Sequence, residues 1–380
     1  MDVQVHEHID DINAGEWNAL AGPDPFVRHE FLAALEHSGC VTAANGWQPR
    51  HLSLRSKDGR LLGALPLYLK SHSYGEFVFD WAWADAYRQL GLSYYPKLVS
   101  AVPYSPVPGP RLLLAPGSDG AALIHAVRAL AKETESSSAH CLFPLEQELD
   151  VWNDGGFLTR RDCQFHWHNH DYADFEHFLS GFTADKRKKV HRERRRIAEA
   201  GIEMRMLEGG ELDGNLMEAM YRFYAATYAK RGRRPYLNRV FFDVLRKTMP
   251  DALRVCFAFK AGAPVAAAIC LQDGDTLYGR HWGSEQEFHS LHFEACYYQG
   301  IEYCIRTGLA HFNPGTQGEH KISRGFEPTY TWSVHWLSRP EFHAAIDDYL
   351  RQEQHQVRRY FQETEAHLPF HATGSAGNEP

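Results

Sequence analysis

Apolar positions repeat along this chain at spacings that separate helices from strands. Over residues 291–305, Leu291, Ala295, Tyr298, Ile301 and Ile305 recur three or four positions apart, with Glu302 beside them, so one flank of a helix faces a core. Gly308 is placed to end that helix with a left-handed cap. An aromatic strand beginning at Thr276 and ending at His281 and Trp282 precedes the helix, and a brief strand at 310–312 follows it. Next comes a loop bearing Gly, Gln and His that no packing pattern explains. This succession predicts that His281, Glu294, Glu319, His320, Lys321 and Arg324 gather near one cleft, at the carboxyl ends of strands where α/β sheets bind ligands.

The same patterning organises the rest. In the first half it predicts a helix over 27–37, a strand over 51–55, a turn at Lys57-Asp58-Gly59, and strands over 61–70 and 76–83. The four prolines within 102–110 demand an extended loop, and a helix over 121–134 leads to a strand over 140–144. In the second half, strands over 254–259, 265–271 and 276–282 surround a turn at Lys260-Ala261-Gly262. HLSLRSKDGRLLGALPL and RVCFAFKAGAPVAAAIC share one apolar rhythm, so two copies of one α/β unit are expected, with 50–83 equivalent to 254–282. Between the halves, 162–172 reads as a linker strand with His166, His168 and His170 on one face. No fourth ligand stands beside them, and His289 and His292 lack the rest of a zinc signature, so no metal is expected. Gly315-Thr316-Gln317-Gly318 is not followed by a P-loop lysine on a helix.

Composition adds three constraints. A chain of 380 residues favours two domains. A net charge of −8 gives no overall attraction to nucleic acid, so any such binding rests on a local patch. Seven cysteines, none in a CxxC pair, suit a reducing compartment; with no leader-like start and no apolar run of membrane-spanning length, a cytoplasmic protein without a transmembrane segment is expected. The local patch is a predicted helix over 175–201, where Lys186, Arg187, Lys188, Lys189, Arg192, Arg194, Arg195 and Arg196 face only Asp185 and Glu193. It reads either as a solvated face or as a site for a polyanion such as a tRNA or a phosphorylated lipid carrier.

The segments NPGTQGEHKISRGFEPTYTWSVHW, LHFEACYYQGIEYCI, FVFDWAWADAYRQLGLSYYPKL, PVPGPRLL and the KRKKVHRERRRI helix together resemble the bacterial FemAB-like family, described as peptidoglycan biosynthesis or recognition proteins of the GNAT acyltransferase superfamily. The likeness runs from about Gly15 to Tyr360. It implies an α/β (α+β) fold of two tandem GNAT-like domains, each a mixed, mostly antiparallel sheet flanked by helices. The expected division is 1–165, then 166–345 with the basic helix 175–201, then a C-terminal helix and disordered tail over 346–380. The implied activity is an N-acyltransferase that joins an acyl or aminoacyl group to an amine, a cell-wall precursor being one such acceptor. No cofactor is fixed: acyl-CoA and aminoacyl-tRNA are the alternative donors, and tRNA the implied partner. GSEQEFHSLHFEA stands where acetyl-CoA enzymes carry a Gly-rich pyrophosphate loop, which favours aminoacyl-tRNA. A CoA-dependent N-acyltransferase and a non-catalytic binding protein for a cell-wall or polysaccharide precursor are the rival readings. The expected catalytic residues are His320, Glu319, Glu294 and His281. Lys321, Arg324, Gln317, Trp282 and Tyr298, with Asp80 and Trp81 of the first half, form the expected substrate-binding set.

Overall fold

A computed structural model describes residues 2–316 and 318–371. Gln317 and the expected tail beyond 371 lie outside the described residues. In chain order the strands are β1 Asp2–His6, β2 Trp47–Pro49, β3 His51–Arg55, β4 Leu61–Leu65, β5 Tyr68–Lys70, β6 Lys97–Ser100, β7 Leu113–Leu114 and β8 Ser138–Leu142. There follow β9 Leu158–His168, β10 Ile202–Glu208, β11 Leu253–Lys260, β12 Ala263–Gln272, β13 Thr276–Ser284, β14 His311–Asn313 and β15 Glu327–Leu337.

The chain forms two compact units. One runs to Cys163 and takes in Gly232–Leu253 and Tyr330–Arg359; the other comprises Gln164–Arg231, Arg254–Thr329 and the chain from Tyr360. These differ from the contiguous 1–165 and 166–345 expected, because the first unit also takes in Gly232–Leu253 and, with Tyr330–Arg359, most of β15, while the second begins at Gln164. The boundary at 345/346 also falls inside a helix, Pro340–Glu365.

In the first unit, β1, β3, β4 and β7 make a four-stranded antiparallel sheet, and β15, β8, β6, β5 and β2 succeed one another in a second. The pair β6–β8 is parallel and its neighbours antiparallel. A parallel pair needs a crossover, and the helix Ala121–Glu133 lies in this one. Its Leu123, Ile124 and Val127 close a core with Leu52, Leu98, Ala139, Trp152 and Val334. In the second unit the order is β10, β11, β12, β13, β14, β9, with β13–β14 parallel and the helical run 291–307 in its crossover. Its core joins Trp167, Phe178, Leu277, Tyr298, Ile301 and Phe312. Two mixed, mostly antiparallel sheets flanked by helices, in tandem, are the expected GNAT-like architecture.

The repeat therefore exists, but not where the hairpins suggested it. β3 and β4 pair as the Lys57-Asp58-Gly59 turn predicts, whereas the expected strand 61–70 is split by Pro66, β5 joining the other sheet. Residues 76–83 are no strand at all. Gly75 and Phe77 take left-handed backbone angles (φ 83° and 63°), and a helix, Trp81–Gln89, starts behind Asp80. The equivalent elements are β5, β6, helix, β8 and β12, β13, helix, β14. The expected helix 175–201 is also broken, into Phe175–Ser180 and Ala184–Glu199. At the break Phe182 makes a β-bridge to Phe370, and the Thr183 N–H donates to Pro369 O at 2.8 Å.

Candidate active site

β13 and β14 pair over three residues, Thr276–Tyr278 against His311–Asn313. Beyond Tyr278, β13 continues to Ser284 while the chain after Asn313 departs through Pro314, Gly315 and Thr316. Opposite, the β12–β13 register shifts between Ile269 and Cys270, which face His281 and Gly279. A shift of this kind bends a strand and re-aims its side chains. The parting strands enclose a cavity of about 190 Å3, walled by Arg280, His281 and Trp282 of β13, by His292, Cys296 and Tyr297, and by Gly315 and Thr316.

The helical run supplies its wall through an irregularity. Leu291–Phe293 is α-helical, Glu294–Tyr298 makes a π turn, and Gln299–Thr307 resumes the α-helix to Gly308, whose φ of 74° is the left-handed cap read from the sequence. π turns inserted in helices gather at functional sites. Here the turn sends His292, Cys296 and Tyr297 to the cavity and Glu294 to the opposite flank.

Lys321 stands behind the cavity on the 3-10 helix Glu319–Arg324 and is 1% exposed. Its Nζ donates to the carbonyl of Gly315, part of the cavity wall. Burial pulls the Lys321 ammonium down to about 7; Cys296 opposes this and Arg280 adds to it. Tyr297 OH and His320 Nε2 are 2.8 Å apart. Burial, then Arg324 and Lys321, depresses His320. Burial, then His320 and Arg324, takes His292 to about 4, and burial with Arg280 takes His281 to about 3. At neutral pH the site holds neutral imidazoles and a lysine able to exist as the free amine.

The remaining expected residues disperse. Arg324 is no exposed anion contact: at 2% exposure its Nη2 donates to both Glu193 oxygens at 2.9 Å, its Nε to Tyr298 OH at 2.9 Å and its Nη1 to His320 O at 2.7 Å. Tyr298 is thereby tied into this buried pair rather than facing the cavity. Glu319 is exposed and accepts from Tyr360 OH at 3.0 Å. Trp282 and His281 line the cavity, Glu294 does not, and Gln317 lies outside the described residues. In the first unit Asp80 accepts from the Lys97 ammonium and from Tyr94 OH at 2.7 Å. Burial would raise its carboxyl, but Lys97 holds it at about 2. Lys97, Glu76 and Asp80 are all under 5% exposed, so this cluster beside β6 is closed. Trp81 is 39% exposed against Tyr74. On the basic helix Lys188, Arg192, Arg195 and Arg196 face solvent and Lys186, Arg187 and Lys189 partly so, while Arg194 turns inward to Glu302 at 2.7 Å. No group of His, Cys, Asp or Glu suited to a metal ion occurs among the described residues.

Arg280 and Tyr297 are both absent from the residues expected from the sequence. A charged residue inside the apolar strand TLYGRHWG was the available signal for the first.

Residues 8–372 match the FemAB-like family model, described as peptidoglycan biosynthesis/recognition. Three solved structures share the fold. The C-terminal domain (DUF2156) of a putative lysylphosphatidylglycerol synthetase from Agrobacterium fabrum aligns with a TM-score of 0.55 at 10% identity, over 89% of this chain and 95% of that one. L-PGS from Bacillus licheniformis aligns at 0.52 and 11% identity, over 86% and 96%. FemX aligns at 0.51 and 11% identity, over 91% and 100%. No curated protein matches the chain in sequence.

Proposed function

Because the chain belongs to the FemAB-like family, we propose that it transfers an aminoacyl group from aminoacyl-tRNA to an amine acceptor, a cell-wall precursor, in the cavity between β13 and β14. The observation that carries this reading is Lys321, a buried lysine poised near neutrality behind that cavity. In the proposed reaction the acceptor nitrogen attacks the ester carbonyl carbon, a C–N bond forms, and the C–O bond to the tRNA ribose breaks. The attacking amine must lose a proton, and Lys321 Nζ as free amine takes it and returns it to the departing ribose oxygen. Arg280, a cavity wall, supplies positive charge for the oxyanion of the tetrahedral intermediate. His281 and His292, both held neutral by burial, add no positive charge of their own to the site.

Two observations favour aminoacyl-tRNA over a CoA ester. Residues 283–295 carry no Gly-rich loop for a pyrophosphate, and Lys188, Arg192 and Arg196 present an exposed basic face. The test is the melting temperature of the pure protein with charged tRNA, uncharged tRNA or acetyl-CoA, since a ligand at 100 times its Kd stabilises by about 2.7 kcal/mol. Charged tRNA is expected to raise it most. A rise with acetyl-CoA alone transfers the reading to a CoA-dependent enzyme, and no rise with any donor leaves a binding protein for the precursor.

A further inference from the structure

On the other flank of the π-turned helix lies a larger cleft, about 840 Å3, between the basic helix, β10 and residues 294–306. That volume is typical of a small-molecule site. Ile202, Met204 and Met206 give it an apolar side, and Arg195, Arg205 and Arg306 a basic one. At its inner end is Glu294, 3% exposed. Glu294 Oε1 accepts from Gln299 Nε2 at 2.8 Å and faces Arg194 Nη2 at 3.3 Å, whereas Oε2 accepts no hydrogen bond among the described residues. A buried acceptor left without a donor costs about 1–3 kcal/mol, more when charged, so a fold keeps one where something else supplies the donor.

The charges of the cleft say what else the occupant carries. Arg194 is held between Glu294 and Glu302, Arg205 pairs with Glu203 at 2.8 Å and Arg195 meets Glu199 at 3.6 Å. Arg306 is exposed, lies 5.5 Å from the Tyr303 ring centroid and meets no carboxylate among the described residues. The cleft thus offers one unmet cation at its mouth and, at its depth, the Glu294 carboxyl, whose undonated Oε2 is closed off in this rotamer and meets an occupant when the side chain turns outward.

We infer that this cleft is a second binding site of the unit, for a small zwitterionic ligand whose primary amine reaches Glu294 and whose carboxylate or phosphate is held at Arg306. The Met-lined side accommodates the carbon skeleton between the two ends.

Isothermal titration of the full chain tests this without any transfer reaction, so it stands or falls separately from the activity proposed above. Glucosamine 6-phosphate and alanyl-alanine are the probes, and glucose 6-phosphate and N-acetyl-alanyl-alanine are their amine-lacking controls. At least one probe is expected to bind roughly tenfold or more tighter than its control, the worth of one charge-assisted hydrogen bond. The pair that shows the preference tells phosphate from carboxylate. Glu294→Gln should erase it, and Arg306→Gln, an exposed change that leaves the fold alone, should weaken probe and control alike. Equal binding of probe and control by the wild-type chain, a preference that survives Glu294→Gln, or no binding by any probe overturns the assignment.

Discussion

Lys321 and Arg324 occupy one 3-10 helix, and the sequence places both in one expected substrate-binding set. Burial separates their roles: Arg324 is saturated by Glu193, Tyr298 and His320 O, whereas Lys321 has one carbonyl. Removing one partner of a buried pair strands the other's charge, so Arg324→Ala should lower the unfolding free energy by about 3–5 kcal/mol in urea titration. Lys321→Met keeps the volume and removes a buried amine. Its urea midpoint should therefore hold or rise, while transfer falls by roughly 10²–10⁴ if Lys321 is the base. The pH dependence has a definite sign. The folded value of Lys321, about 7, lies below its unfolded value of about 10.4. Between the two the unfolded chain binds the extra proton, so this residue makes stability rise with pH across that window and contributes no slope below it. Transfer should climb through about pH 7 and then level. None of this was legible from residue types: sequence records that Lys321 carries a charge, and only the fold records that water has been removed from it.

At the scale of elements, local chemistry was the readable part. The Asp-Gly turn, the helix stop at Gly308 and the apolar runs of β11, β12 and β13 were recovered because neighbours in sequence determine them. Residues 76–83 failed because Asp80 bonds to Lys97, seventeen positions on, and aromatic β-propensity yields to such contacts. The basic helix was foreseen, but not that Glu193 and Arg194 face inward. This takes only Arg194 out of the expected polyanion set, and Lys188, Arg192 and Arg196 are among the basic residues left facing solvent. Changing these three to Gln should flatten the salt dependence of tRNA binding, by about 0.7–0.9 in log K per unit log salt for each phosphate no longer neutralised. Filter binding at two salt concentrations measures it, and an unchanged slope removes the helix from the interface. Gly283 makes a separate test. A Cβ there would stand 1.8 Å from Phe223 O, in the backbone of the helix Gly214–Ala229, so Gly283→Ala should cost at least about 1–3 kcal/mol by urea titration.

For the whole molecule, the two shared rhythms matched the hairpin β3–β4 to β11–β12, whereas the elements that recur are β5, β6, β8 and β12, β13, β14; nor was the place of β15 in the first unit readable, since no local pattern says which distant strand a given strand will meet. β8 pairs with β15 in a register that sets His140 against His335, their Nδ1 atoms 2.8 Å apart across 195 positions of sequence. A fragment ending at residue 165 lacks β15 and Gly232–Leu253, and should show no cooperative thermal transition by circular dichroism, whereas the full chain should. This late pairing also sets a timetable during synthesis. At about 5–20 residues per second, β8 leaves the ribosome roughly ten to forty seconds before its partner exists. Through that interval the strand Ser138–Leu142, buried in the finished fold, has an open edge of unmet N–H and C=O groups, the feature that invites pairing with a neighbouring nascent chain. The first unit, although translated first, can close only as the last helix is being made, so a cell that produces this protein faster than its chaperones can shield such edges should find it in inclusion bodies.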